Sequence, residues 1–173
     1  LEWASLRATA FWNGFRNYIY LAPTGLEYFG FNIYNYVQSD ATLKGAELAV
    51  DIHPDFLRHL DLRADYTYLR ATRTDGGFLP FIPANKANAT LRWLAGTGSK
   101  APIDFVSVGG TYAFTQDRPA EFELATPAYF LLQAGIGGHV HFIQQDLRIT
   151  LLCNNLLDAK YVDSFRECLV AVA

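Results

Sequence analysis

Hydrophobic and polar residues alternate along most of this chain with a period of two, the repeat of a β-strand that has one apolar and one polar face. Between residues 60 and 70, Leu60, Leu62, Ala64, Tyr66 and Tyr68 fall on one side, with Asp61, Arg63, Asp65 and Thr67 on the other. Ala87, Ala89, Leu91 and Trp93 alternate with Lys86, Asn88, Thr90 and Arg92. Val106, Val108, Gly110, Tyr112 and Phe114 oppose Ser107, Gly109, Thr111 and Thr115. Phe130, Leu132, Ala134, Ile136, Val140 and Phe142 oppose Gln133, Gly135, His139 and His141, and Leu147, Ile149, Leu151 and Cys153 oppose Arg148, Thr150 and Asn154. Two earlier segments are less regular. Leu6, Ala8, Ala10 and Trp12 alternate with Arg7, Thr9 and Asn13 before an aromatic run to Tyr20. Ala46, Leu48, Val50 and Ile52 oppose Glu47 and Asp51, but the phase around Ala41 and Leu43 is reversed, which predicts a bulge near Lys44-Gly45. The pattern predicts seven strands, with room for an eighth after Tyr161.

One-sided alternation also describes a soluble sandwich, so three further features matter. Aromatic residues gather at strand ends: Tyr66, Tyr68, Tyr112, Phe114 and Phe130 at one, Trp93 and Phe142 at the other. Two such girdles flank the lipid-facing band of an outer-membrane barrel. The apolar face is partly Ala and Gly, which lipid tolerates but a close-packed core would have to fill. Connector lengths alternate, long at about 21–33, 71–84 and 117–127 and short at about 53–59, 95–102 and 143–146. Long extracellular loops and short periplasmic turns give that rhythm. The fold class expected is all-β, an antiparallel up-and-down meander of about eight strands forming part of a transmembrane β-barrel, with the first strand running outward. His53-Pro54-Asp55 would open the first periplasmic turn.

Composition narrows the function. The chain is 51% hydrophobic and 15% aromatic, yet no run of 18 apolar residues exists, so a membrane role must come from strands. Its 14 basic and 17 acidic residues form no basic cluster, which makes nucleic acid an unsuited partner. With no methionine and a start at Leu1, the chain is expected to be a piece of a longer product. Cys153 and Cys168 lack zinc-site spacing and read as small apolar residues.

Four stretches resemble the last strands of TonB-dependent outer-membrane receptors: FWNGFRNYIY (11–20), YVQSDATLKGAELAVDIHP (36–54), LPFIPANKANATLRW (79–93) and LRITLLCNNLLDAKY (147–161). The last, a strand ending in N-N-L-L-D-x-x-Y, is the most specific. The resemblance implies that 1–173 is the C-terminal segment of a barrel of about 22 strands, with a plug domain and the remaining strands elsewhere. It implies import of a scarce nutrient across the bacterial cell outer membrane: a ferric siderophore, haem, a metal ion or cobalamin. The implied partners are outer-membrane lipid, the plug, the inner-membrane TonB complex and a small nutrient or metal chelate. The tail FRECLVAVA departs from the closing aromatic of such receptors. An autonomous eight-stranded barrel serving as adhesin, anchor or small channel is the alternative.

Candidate chemistry is sparse. His139 and His141, at i and i+2, could present two imidazoles to a metal, but no third ligand has a recognisable spacing. They read instead as lumen-facing polar residues, with Glu47, Arg63, Arg92, Gln133 and Arg148. Carboxylates such as Asp51, Asp61 and Asp65 suit pairing with interior cations better than acid–base catalysis, and no hydrolase motif is present. No enzyme activity, catalytic residue, resident metal or cofactor is expected. Cargo contacts are expected from the long loops, at Tyr28, Tyr34, Asp75, Arg118, Glu121 and Glu123.

Overall fold

The computed structural model describes residues 3–95, 102–121, 123–142 and 145–163, with their side chains except those of Asp55, His141, Phe142 and Asp146. Seven strands follow one another: β1 (Ala4–Tyr28), β2 (Phe31–Ile52), β3 (Leu60–Arg73), β4 (Lys86–Leu94), β5 (Ile103–Ala113), β6 (Tyr129–Phe142) and β7 (Gln145–Asn154). They form one antiparallel sheet in chain order. The meander is as the alternation predicts.

Register makes the two faces continuous. Val50 lies opposite Leu6 and Ala64, Ala64 opposite Ala89, Ala89 opposite Gly110, and Gly110 opposite Leu132. Every other row repeats this, so one face is apolar across all seven strands. No described residue covers that face. Leu62 is 38% exposed, Ile149 47% and Leu151 67%, whereas among the described residues the buried hydrophobic ones are Ala41, Ala71, Leu79 and Ala113. A soluble sheet would cover such a face, because each exposed large side chain forgoes about 1.5–3 kcal/mol of burial. No described helix is long and apolar enough to cross a membrane.

Two expectations need correction. The connector expected at 21–33 is strand. β1 and β2 run on to a two-residue turn, Phe29-Gly30, with φ of 50° and 81°. Positive φ at both positions matches the right-handed twist of a hairpin. Gly25, at φ 76°, lies in an irregularity between Pro23 and Glu27 that absorbs the surplus residues there. At 25 residues, β1 is about 80 Å long.

The bulge expected at Lys44-Gly45 is absent. The β2–β3 ladder is unbroken from Ala41↔Arg73 to Ile52↔Leu62. The bulge lies across the sheet in β1, between Phe15 and Tyr18, with Asn17 at φ 54° donating its N–H to Asp40 Oδ1 at 3.0 Å. One extra residue flips the strand's phase, so Tyr18 and Tyr20 turn to the polar side. There they pack with Leu43 and Ile82 around Ala41, Ala71 and Leu79. The reversed phase at Ala41 and Leu43 therefore marks an apolar floor under the β3–β4 loop. Gly45 is needed because a Cβ would come within 2.6 Å of the Phe11 ring.

The chain after β7 does not rise as a strand over the residues described. Leu156 N–H closes on Leu132 O at 2.9 Å, and Asn155, at φ 57°, holds Ala159 through both its amide nitrogen and oxygen. The segment then returns over the polar face, bringing the Tyr161 ring to 4.5 Å from that of Tyr129. An eighth strand, the tail 165–173 and Cys168 lie outside the described residues. Among the described residues β1 and β7 each have one partner, so the described sheet is open at both edges.

Candidate functional site

The polar face is a wall of lateral pairs. Near the turn joining β2 and β3, Asp51 is almost fully buried and accepts from Arg63 Nε at 2.5 Å, Arg7 at 3.0 Å and Ser5 at 3.5 Å. Register causes this, since Asp51 lies opposite both Ser5 and Arg63. One pleat higher, Gln133 donates to Thr111, Thr111 to Asn88 and Asn88 to Asp65, at 3.4, 2.7 and 2.7 Å. This chain of amides and hydroxyls crosses four strands. Arg92 lies over the Phe105 ring at 4.8 Å. Asp104 accepts from His139 Nδ1 at 2.5 Å and lies 3.9 Å from Arg148.

Six of the seven residues expected on this face are thus on it together: Glu47, Arg63, Arg92, Gln133, His139 and Arg148. The side chain of His141 lies outside the described set. Glu47, opposite Thr9 and Thr67, is exposed. The His139 imidazole is engaged by Asp104, and no group of three metal-ligating side chains occurs among the described residues. The alternation did not point to two of the acids that partner polar groups here, Asp104 and Asp163. Asp104 sits at a register shift between β5 and β6, and Asp163 arrives from the returning segment to meet Lys86 at 2.9 Å and the Tyr129 hydroxyl at 3.3 Å.

The loop residues divide by role. Tyr28 is exposed at the β1–β2 tip, edge-on to Phe29 at 4.5 Å, and Tyr34 lies opposite Pro23 lower on that hairpin. Asp75 is consumed locally. It accepts from Arg73 Nε at 2.9 Å and Gly77 N–H at 3.1 Å, and the Gly77 amide and then the Arg73 guanidinium hold its carboxyl below the usual carboxylate range. Arg73 also donates to the Tyr20 hydroxyl at 3.0 Å. Glu123 is a brace rather than a free acid. One oxygen accepts from Phe81 N–H at 2.7 Å, the other from Ala120 N–H at 2.9 Å, joining the β5–β6 loop to the β3–β4 loop. Gln116, donating to Ile82 O at 2.5 Å, adds a second tie that no pattern in the residues announces. Glu121 is exposed, and Arg118 leans on Asp117 at 3.6 Å.

Between these tied loops is a notch of about 300 Å³, because β3 outruns β4. The last β3–β4 pair is Thr67↔Lys86, and Asn85 finishes the ladder by accepting Leu69 N–H on its side chain and Phe114 N–H on its carbonyl. Arg70, Asn85, Phe114, Gln116 and Arg118 line the opening. Such a rim of mixed charge and aromatic surface can hold a small polar solute. It has no nucleophile-and-base arrangement for chemistry.

No curated protein sequence matches the chain. Among solved structures, a protein titled "Copper transporter OprC" superposes with a TM-score of 0.78 at 14% identity, over 94% of this chain and 24% of that one. The chain thus spans about a quarter of that relative's length, and the likeness is one of fold. The family model for the TonB dependent receptor-like β-barrel matches residues 1–156. With nine-tenths of its length so matched, and a one-way meander with one uncovered apolar face, the chain belongs to the TonB-dependent receptor β-barrel family.

Proposed function

We propose that this chain is a segment of the barrel wall of an outer-membrane receptor that imports a small nutrient or metal chelate of the siderophore, haem, metal-ion or cobalamin class. The observation that carries the reading is the uncovered apolar face bounded by aromatic rows, backed by a paired polar face. In this reading the apolar face meets lipid, and Glu47, Arg63, Arg92, Gln133, His139, His141 and Arg148 face the lumen. There the lateral pairs keep the wall rigid and wet while a plug fills the bore. The other barrel strands, the plug and the TonB complex complete the machine, and the named copper transporter makes a metal ion one cargo worth testing first. Tyr28, Tyr34, Arg118 and Glu121 are the loop side chains best placed to meet cargo, whereas Asp75 and Glu123 serve the loops themselves. The autonomous small barrel has less support, because it needs β1 and β7 to meet.

Labelling tests the orientation. In an intact barrel carrying Cys153→Ala and Cys168→Ala, Gln133→Cys should react with a water-soluble maleimide and Leu132→Cys only with a lipid-phase reagent. The reverse, or equal reactivity, overturns the reading. For transport, cells lacking the receptor should lose energy-dependent uptake of one cargo in a panel of copper, ferric chelates, haem and cobalamin. Unchanged uptake of all four would remove the transport assignment.

A further inference from the structure

We propose that the apolar face carries a binding site for a phosphorylated lipid of the outer leaflet, its phosphate held by Lys44 and Arg70 and one acyl chain in the groove beneath them. The proposal rests on the membrane orientation above. Lys44 and Arg70 are direct cross-strand partners, on the same side of the sheet as Leu48, Tyr66 and Tyr68. They stand two residues, about 7 Å, beyond the Ala46↔Tyr68 pair of the aromatic row. Aromatic girdles mark the edge of the hydrocarbon, so the pair sits where headgroup phosphates lie.

Like charges directly opposite on neighbouring strands repel, and an anion between them would offset that cost. The described residues supply none. Arg70 Nε is buried without a hydrogen-bond partner, an omission costly for a guanidinium. The acids nearby are otherwise engaged: Asp40, on the same face of β2, accepts the Asn17 N–H, and Asp117 faces Arg118 across 3.6 Å. Arg70 also lines the notch, beside Asn85 and Tyr112.

Below the pair is a shape suited to a chain. A groove of about 380 Å³ runs over Ala64, Ala87, Ala89 and Gly110, walled by Leu48, Val50, Tyr66, Tyr112 and Phe130. Tyr112 borders both groove and notch, so the two form one amphipathic channel with its cationic end outward. Free phosphate would use the cations alone. A phosphorylated lipid uses both.

The test uses the intact barrel in phosphatidylcholine nanodiscs, doped with bisphosphorylated lipid A or its dephosphorylated form, with bound lipid counted by native mass spectrometry. Lipid A should bind, and Lys44→Ala with Arg70→Ala should weaken it by about tenfold or more. Lys44→Arg with Arg70→Lys should largely restore it, and Ala89→Trp, which fills the groove but leaves the cations, should weaken it too. Equal retention by wild type and the double Ala variant, or no preference over dephosphorylated lipid, overturns the proposal. Displacement by millimolar inorganic phosphate, with Ala89→Trp silent, would mean a phosphate site and overturns the lipid assignment. Failure of wild type to insert in nanodiscs would instead overturn the membrane reading, a separately visible result.

Discussion

Replacing Leu132 by Arg puts a charge inside the uncovered apolar face. Leu132 pairs with Gly110, two residues from the Tyr112↔Phe130 row and four from the Val106↔Ile136 row beside Trp93. At strand rise these steps are about 7 Å and about 13 Å, so the rows bracket roughly 20 Å and Leu132 lies about a third of the way across, on the Tyr112 side. A mid-bilayer Arg on a barrel's lipid face costs about 2–4 kcal/mol, less near the interface. Snorkelling over 7 Å toward Tyr112 offsets part of this, which gives an expected loss of about 2–3 kcal/mol. The neighbour Gln133→Arg, on the polar face, forfeits one long hydrogen bond to Thr111 and should cost under about 1 kcal/mol. The assay is reversible urea unfolding of the intact barrel in phospholipid vesicles, both variants beside wild type. Equal losses, or a larger loss at 133, would refute the assignment of faces.

Gly45→Leu should destabilise by about 1–3 kcal/mol in the same titration, since the new side chain meets the Phe11 ring and Tyr68 O, and Phe11→Ala should relieve most of it. Glu123→Ala should expose the Phe81 and Ala120 amides to rapid hydrogen exchange while the strand ladders keep their protection. Asp75 has a depressed carboxyl pKa, so its contribution to the 73–77 turn is present above about pH 4 and is lost as pH falls below that. Exchange of the Gly77 amide should accelerate in that acid window in wild type and be pH-independent, after intrinsic correction, in Asp75→Asn.

The strands were legible because one period governs each, and a barrel wall asks only that alternation hold. From β3 to β7 both faces follow from the residue list alone. Legibility fails where a third contact intervenes. At Ala41 and Leu43 the polar face becomes a floor for Leu79 and Ile82, so its apolar residues mimic a phase slip. At Arg16-Asn17 the true bulge carries no Gly or Pro and left no mark. At Pro23 to Gly25 turn residues occur without a turn, because they open an irregularity within β1 instead. The polar face could be named but not wired. Asp51 with Arg63 follows from neighbouring strands, whereas Glu123 with Phe81 and Asp163 with Lys86 are 42 and 77 residues apart and depend on loop paths.

The open edges set what this segment can do by itself. Over a band of about 25 Å a strand has about eight residues, and an edge turns about four N–H and four C=O groups away from the sheet. β1 and β7 both do so, since each has one partner among the described residues. Unsatisfied groups cost several kcal/mol each in hydrocarbon, so two bare edges exceed by far the roughly 5–15 kcal/mol by which folded domains are stable. Closing β1 on β7 would satisfy them, but at far tighter curvature. The polar face of that narrow barrel would have to hold Arg7, Arg63, Arg92 and Arg148, whose side chains need room or a plug to meet. Residues 1–173 alone should therefore enter vesicles poorly and associate through their edges, whereas the same strands within the intact barrel should insert as a monomer. Folding yield and heat-modifiable gel mobility of both, refolded side by side, measure this. A monomeric, heat-modifiable species from residues 1–173 alone, with β1 amides protected against exchange by β7, would show that the edges do close and that the argument from curvature is wrong.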